Sequence, residues 1–170
     1  MYMIPIETQR LHIQEATLTD ADFIYELLNS PTWLEHIGNR GIRTSADAEA
    51  YIQNSLLASY RDYGFGLWKV SVKDTNVPLG ICGFLKRDYL DAPDIGFAQL
   101  PQFEGFGYML EACRSVMDYG VSALNFPKVL AVTTSNNVRS QKLLSKLGFS
   151  EIGTVQPSNK ETPFRLYSNP

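Results

Sequence analysis

Apolar and polar residues alternate at Leu11-His12-Ile13-Gln14, the period of a strand with one buried face, which predicts a first strand over 10–15. The period then lengthens. Phe23, Ile24, Leu27 and Leu28 recur at helical spacing behind Thr19 as the expected N-cap, with Asp22 at the third helical position. Asn29-Ser30-Pro31 ends that helix and opens a short turn around Trp33, and Gly38-Asn39-Arg40-Gly41 reads as a flexible segment. Thr44 with Asp47 repeats the cap signature and predicts a longer helix to about Tyr60, with Ala48, Tyr51, Ile52, Ser55 and Leu56 along it.

Three strand candidates follow at 64–72, 77–86 and 94–100, the first two joined by a turn at 73–76. A helix is expected over about 105–124, with Met109, Ala112, Cys113, Val116, Gly120 and Ala123 on one side. A β-branched strand at 129–133 precedes a helix capped by Asn136 or Asn137 and stopped at Leu147-Gly148. Strands at 149–155 and 164–167 complete the pattern. Early helices, a strand meander, then alternating strands and helices imply an α/β (α+β) sheet with helices on both faces. With no repeat or linker, residues 1–170 are expected to form one domain.

Composition narrows the function classes. A formal charge of −3 argues against nucleic acid as a partner, which needs a basic face. No apolar run approaches membrane-spanning length and no basic-then-apolar leader opens the chain, so a cytoplasmic protein without a membrane partner is expected. Cys82 falls in a strand and Cys113 on an apolar helix side, without redox or metal spacing; both are expected as reduced core thiols. Neither His12 nor His36 has a metal-like neighbour, so no metal is expected.

The candidate chemistry concentrates at Gln102-Phe103-Glu104-Gly105-Phe106-Gly107-Tyr108, a Q-x-x-G-x-G run between a strand and a helix. The first-turn amides of a helix lack internal partners, and the aligned peptide dipoles favour negative charge there. Glycines let the backbone approach an anion closely. A phosphate or pyrophosphate is therefore expected at this turn.

About thirty residues on stands Asn137-Val138-Arg139-Ser140-Gln141-Lys142-Leu143-Leu144-Ser145-Lys146-Leu147-Gly148-Phe149. The glycine turn followed by this N-x-x-S-x-x-L-x-x-x-L-G-F block resembles the GNAT superfamily of N-acetyltransferases over nearly the whole chain. Three further features resemble its ribosomal-protein N-terminal acetyltransferase branch: the opening Glu7-Thr8-Gln9-Arg10-Leu11, the strand Asp94-Ile95-Gly96-Phe97, and Gly107-Tyr108-Met109-Leu110-Glu111-Ala112.

That resemblance implies a GNAT fold, a mixed, mainly antiparallel sheet of about seven strands split by a V-shaped cleft. It implies acetyl-CoA as co-substrate, its pyrophosphate on the amides of residues 102–108 and its pantetheine arm along Phe97, Ala98, Gln99 and Leu100, where a bulge splays two strands. Asn137 would bond the coenzyme. The tyrosine that many members carry four residues before the Gly-Phe pair is replaced by Leu144. The ribosomal branch has a serine three residues after the asparagine, here Ser140, which would donate to the leaving sulfur.

For the base, Asp94 is the first candidate because it begins the coenzyme strand, with Glu104 and Asp91 behind it. Direct attack in a ternary complex is expected, because no Cys or Ser stands in a nucleophile pattern with histidine. Trp33, Arg40, Arg43 and Tyr89 are candidates for the acceptor pocket, with a primary amine, on a small molecule or a protein N-terminus, as acceptor. Monomer and homodimer stay open. So do two rival readings, a non-catalytic acyl-CoA-binding sensor and a nucleotide-phosphate binder of another fold.

Overall fold

The computed structural model describes residues 4–158 and 160–169. Strand β1 (Ile6–Glu7) turns back onto β2 (Leu11–Gln14), whose alternation buries Leu11 and Ile13 completely. A 3-10 turn at Leu18–Asp20 leads into α1 (Ala21–Leu28). The cap is Thr17 rather than Thr19: Asp20 Oδ2 accepts the Thr17 N–H at 2.8 Å. Two T-x-x-D frames overlap here. The first is engaged because the Asp20 carboxylate also meets Lys69 Nζ at 2.7 Å, tying the turn to the sheet.

The segment expected as a turn around Trp33 is a short helix, α2 (Pro31–His36). Ser30 Oγ accepts from the Trp33 N–H at 3.4 Å, and Pro31 opens the helix where a missing N–H costs nothing. At Thr44 the cap is as expected. Thr44 Oγ1 accepts from Asp47 N at 3.1 Å, and Asp47 Oδ2 accepts from the N–H groups of Arg43 and Thr44, each at 2.9 Å. Helix α3 (Ser45–Tyr51) continues through a π-helical stretch, Ile52–Leu57, into α4 (Ala58–Tyr63).

Strands β3 (Leu67–Val72), β4 (Pro78–Leu85) and β5 (Asp94–Gln99) form a meander. A 3-10 turn, Pro101–Phe103, precedes α5 (Tyr108–Ser122). This helix starts later than the expected residue 105, because Gly105 and Gly107 adopt φ of 83° and 78° and break the helical path. Then come β6 (Leu130–Thr133), α6 (Val138–Lys146), β7 (Ser150–Val155) and β8 (Phe164–Ser168). Gly148, at φ 85°, ends the turn after α6.

The sheet has eight strands in the order β1-β2-β3-β4-β5-β6-β8-β7, one more than the sequence suggested because of the short β1. Every neighbouring pair is antiparallel except β5 and β6. Helix α5 packs on β2, β4 and β5. Trp68 and Phe84 are fully buried, with Trp68 edge-on to Tyr119 at 5.5 Å and Phe84 edge-on to Phe126 at 5.1 Å. Burial of such rings contributes roughly 1.5–3 kcal/mol each and fixes helix against sheet. Cys82 and Cys113 are free and buried with sulfurs 3.6 Å apart; burial raises the Cys113 thiol pKa. No helix among the described residues is long and apolar enough to cross a membrane.

Candidate active site

Strands β5 and β6 run parallel but share a single paired position, Asp94 with Leu130, closed by a hydrogen bond from Leu130 N to Pro93 O at 2.9 Å. Beyond it they part. β5 goes on pairing with β4 from Asp94 to Gln99, and β6 pairs with β8 from Leu130 to Thr133, so the edges facing each other stay unpaired. The expected bulge is not the cause: the register of β5 on β4 runs without a shift. Divergence alone opens the V, and it leaves backbone groups that an extended amide-bearing chain would satisfy.

Three polar side chains at the ends of these two strands are unsatisfied. Gln99 Oε1, Thr133 Oγ1 and Thr134 Oγ1 are buried without a hydrogen-bond partner, three of the six such atoms among the described residues. Buried orphan groups cost free energy, and these three stand at or just past the ends of β5 and β6. Sequence reasoning found Gln99 as part of the strand but missed both threonines.

The glycine turn lies at the end of β5. Phe103 N and Glu104 N are consumed by bonds to Leu100 O and Pro101 O, at 3.0 and 3.1 Å. The N–H groups of Gly105, Phe106, Gly107 and Tyr108 make no protein hydrogen bond among the described residues. Gly107 caps α5 in the left-handed region and brings no side chain to its first turn. A run of free amides at a helix start is a receptor for phosphate oxygens. No protein atom lies within 4 Å of where a Gly105 Cβ would stand, so that side is open to a ligand.

The side chains of the turn face its neighbours. Gln102 Nε2 donates to Glu26 Oε1 of α1 at 3.1 Å, and the Glu104 carboxylate pairs with Arg139 of α6. That ion pair joins the two lips of the open end, and Arg139 was absent from the sequence candidates. Phe106 is largely exposed, its ring 6.0 Å from that of Tyr108.

On the other lip Asn137 caps α6, with Oδ1 accepting the Ser140 N–H at 3.1 Å. Its Nδ2 and the Ser140 hydroxyl have no protein partner among the described residues. Ser140 does not bond back to a carbonyl one turn earlier, as Ser122 does to Asp118 O at 2.7 Å. Both groups are therefore available beside the cleft.

Asp94 stands at the closed apex, 1% exposed, with both carboxylate oxygens accepting from Arg87 Nε at 3.0 and 2.9 Å. Burial pushes its pKa up to about 6 although Arg87 pulls the other way. Arg87 Nη1 also donates to the Tyr89 hydroxyl at 3.0 Å. Asp91 lies outside this group and pairs with Lys128.

Two cavities flank the apex. One, of about 300 Å³, lies between the α3 to α4 helical run and the sheet, with Asn54, Ser55, Tyr63, Leu67, Leu85 and Lys86 among its lining. The other, of about 470 Å³, is lined by Lys86, Arg87, Asp88, Tyr89, Pro157 and Ser158. Lys86 belongs to both. The π-helical stretch supplies Asn54 and Ser55, and π-turns inside helices recur at functional positions. Among the expected acceptor residues, Tyr89 lines the second cavity. Trp33 is 4% exposed and packed in the core, while Arg40 and Arg43 are exposed on the loop before α3 and line neither cavity. Only the three-dimensional path of the π-helical stretch assigns Asn54 and Ser55 to a cavity.

Comparison with known proteins agrees with this geometry. Residues 10–150 match the acetyltransferase (GNAT) domain model. The chain is 29% identical over 157 residues to the uncharacterized N-acetyltransferase YoaA of Bacillus subtilis (strain 168), covering 91% of this chain and 88% of that protein. Its fold is similar to that of an acetyltransferase from Agrobacterium tumefaciens str. C58, with a TM-score of 0.82, 18% identity, and 99% and 95% of the two chains covered. It is also similar to RimL, a ribosomal L7/L12 alpha-N-protein acetyltransferase solved in complex with coenzyme A, with a TM-score of 0.84, 15% identity, and 98% and 97% covered. By its match over residues 10–150, which spans the parting strands, the glycine turn and the Asn137-capped α6, the chain belongs to the GNAT acetyltransferase family.

Proposed function

We propose that the protein transfers the acetyl group of acetyl-CoA to a primary amine, on a small molecule or a protein N-terminus, by direct attack in a ternary complex. The observation that carries this reading is the parting of β5 and β6 after one pair, with free turn amides at the open end. When bound, the coenzyme supplies an acyl group on a thiolate leaving group. The Gly105 to Tyr108 amides grip its diphosphate, and the free edges of β5 and β6, with Gln99, Thr133 and Thr134, pair with its amide-bearing arm. Asn137 Nδ2 adds a donor on the opposite lip.

The acceptor enters from the two cavities on the far side of the apex, where Tyr89, Asn54 and Ser55 offer neutral polar contacts. Gly96 leaves no side chain of its own on this face of β5: a Cβ there would sit 2.6 Å from Leu85 Cδ1 and 3.1 Å from Leu67 Cδ2, both lining the first cavity. Two proton roles remain. Ser140 Oγ holds the proton donated toward the departing sulfur. Asp94, with its carboxyl raised to about 6 by burial and ionised above that pH, takes the proton that the acceptor's ammonium loses before the neutral amine attacks.

The test is release of coenzyme A thiol with acetyl-CoA and a panel of peptides starting with Ala or Ser, polyamines and aminoglycosides. Turnover with any of them is the expected result. Tight acetyl-CoA binding with no turnover on every acceptor would leave a binding module and remove the transferase reading.

A further inference from the structure

We infer that Arg10, held by Glu111 and Thr8, is the positioning residue of the glycine turn, fixing the Phe106–Gly107 peptide so that the Gly107 N–H faces the ligand. This rests on the coenzyme site proposed above and assigns the device that shapes it.

The hairpin between β1 and β2 closes through Thr8 N to Leu11 O at 3.0 Å and Leu11 N to Thr8 Oγ1 at 2.9 Å. That closure sets Thr8 and Arg10 against the first turn of α5. Glu111 Oε1 accepts from Thr8 Oγ1 at 2.6 Å and from Arg10 N at 3.0 Å, and Oε2 accepts from Arg10 Nε at 2.7 Å. With its Nε engaged, the guanidinium lies over the Tyr108 ring at 4.6 Å, and Nη1 donates to Phe106 O at 3.0 Å.

The consequence follows from the planar trans peptide. Its C=O and N–H point in opposite directions, so pinning Phe106 O toward Arg10 turns the Gly107 N–H away, toward the open side of the turn. Glycine at position 107 makes such a lock necessary. With no Cβ, a flip of this peptide costs little, and a flipped peptide would present a carbonyl to the diphosphate. Arg10 is suited because one planar group engages the Glu111 carboxylate and the Phe106 carbonyl together, which a lysine ammonium on a flexible stem does not reproduce. Its charge is already paired, so its part is geometric rather than that of a lure for phosphate.

The experiment compares Arg10→Met, Arg10→Lys and Glu111→Gln with the parent in the full chain. In both Arg10 variants the KM and Kd for acetyl-CoA should rise about tenfold, equivalent to ~1.4 kcal/mol, while kcat at saturation and the acceptor KM hold. Glu111→Gln, which leaves the Arg10 charge in place, should show a smaller rise in the same direction. In the protein without ligand, the 15N order parameters of Gly105 and Gly107 should fall in Arg10→Met. Parent-like acetyl-CoA affinity in Arg10→Lys would overturn the inference, because charge alone would then suffice. Unchanged order at both glycines would overturn it too. The order parameters involve no coenzyme, so a parent that fails to bind acetyl-CoA sinks the transferase reading while they still decide the lock.

Discussion

Helix α5 begins on Gly107, which brings no side chain to the first turn, whereas α6 begins on Asn137, whose carboxamide oxygen takes up the Ser140 N–H. Both helices leave strands that part at the same apex, and both carry the positive end of their dipole toward the cleft. One start leaves its backbone donors open. The other satisfies one of its own and instead offers side-chain groups, Asn137 Nδ2 and Ser140 Oγ. The difference teaches a contrast in available donors: the α5 start offers backbone amides, and the α6 start offers side-chain groups, which under the proposed function would divide charge binding from hydrogen bonding to the leaving sulfur.

The largest effect should come from abolishing the open start. Gly107→Asp places an anionic side chain at the amide nest and puts a residue with a Cβ at φ 78°, where strain is of order 1 kcal/mol. Affinity for acetyl-CoA, read by calorimetry, should fall by more than about 100-fold, since like charge and lost donors act together. Parent-like binding would mean that α5 does not receive the diphosphate, and the contrast between the two helix starts would have no functional content.

Next in size is Ser140→Ala, which tests whether the α6 side carries chemistry. Ser122 shows one option open to a helical serine: its hydroxyl bonds Asp118 O. Ser140 forgoes that bond. Its removal should lower kcat by about tenfold or more with acetyl-CoA KM unchanged, because a donor acting on developing charge matters only in the transition state. A fall in affinity with kcat intact would recast Ser140 as part of the grip and blur the division.

The apex that joins both lips carries a pH signature. Burial raises the Asp94 carboxyl to about 6 against the pull of Arg87, so the group is protonated below that pH and ionised above it. If it accepts the ammonium proton, kcat/KM should climb through about pH 6 and level off, and Asp94→Asn should erase that limb. Stability carries the opposite sign. The folded state binds this proton more tightly than the unfolded chain, so the group's contribution is complete below the ordinary aspartate value of 3.8 and is lost as pH rises through about 6. The melting-temperature gap between parent and Asp94→Asn should therefore shift in the variant's favour across that window. A parent-like rate profile in the variant would confine Asp94 and Arg87 to bracing the apex.

Much of the geometry of the two helix starts was legible in the sequence because it rests on local constraints. Gly105 and Gly107 stand where the backbone enters the left-handed region, and Asn137, Thr44 and Asp47 cap within a span of three residues. What depends on distant partners was not legible. Thr19 was the expected cap, but Lys69, 49 residues on from Asp20, engages that carboxylate and the Thr17 frame is the one formed. Trp33 read as a candidate for the acceptor pocket, yet α2 folds it into the core. Asn54 and Ser55 looked like ordinary helical positions, because a π-turn leaves no mark in apolar spacing. The opening Thr8-Gln9-Arg10 and the later Glu111 were both visible as family features, but their pairing across 101 residues explains why they occur together.

The finest division lies within Asn137 itself, whose oxygen serves the helix and whose nitrogen remains free. Asn137→Ser separates the two functions, since serine is a comparable N-cap but has no amide to donate. The melting temperature should stay close to the parent's, whereas Asn137→Ala should lose ~1 kcal/mol of stability with the cap. In the serine variant acetyl-CoA KM should rise about threefold, the size of one neutral hydrogen bond at the weak end of its range. A melting-temperature loss without a KM change would make the asparagine a cap alone. The α6 lip would then meet the coenzyme through Ser140 only, and the contrast with the donor-rich start of α5 would become sharper still.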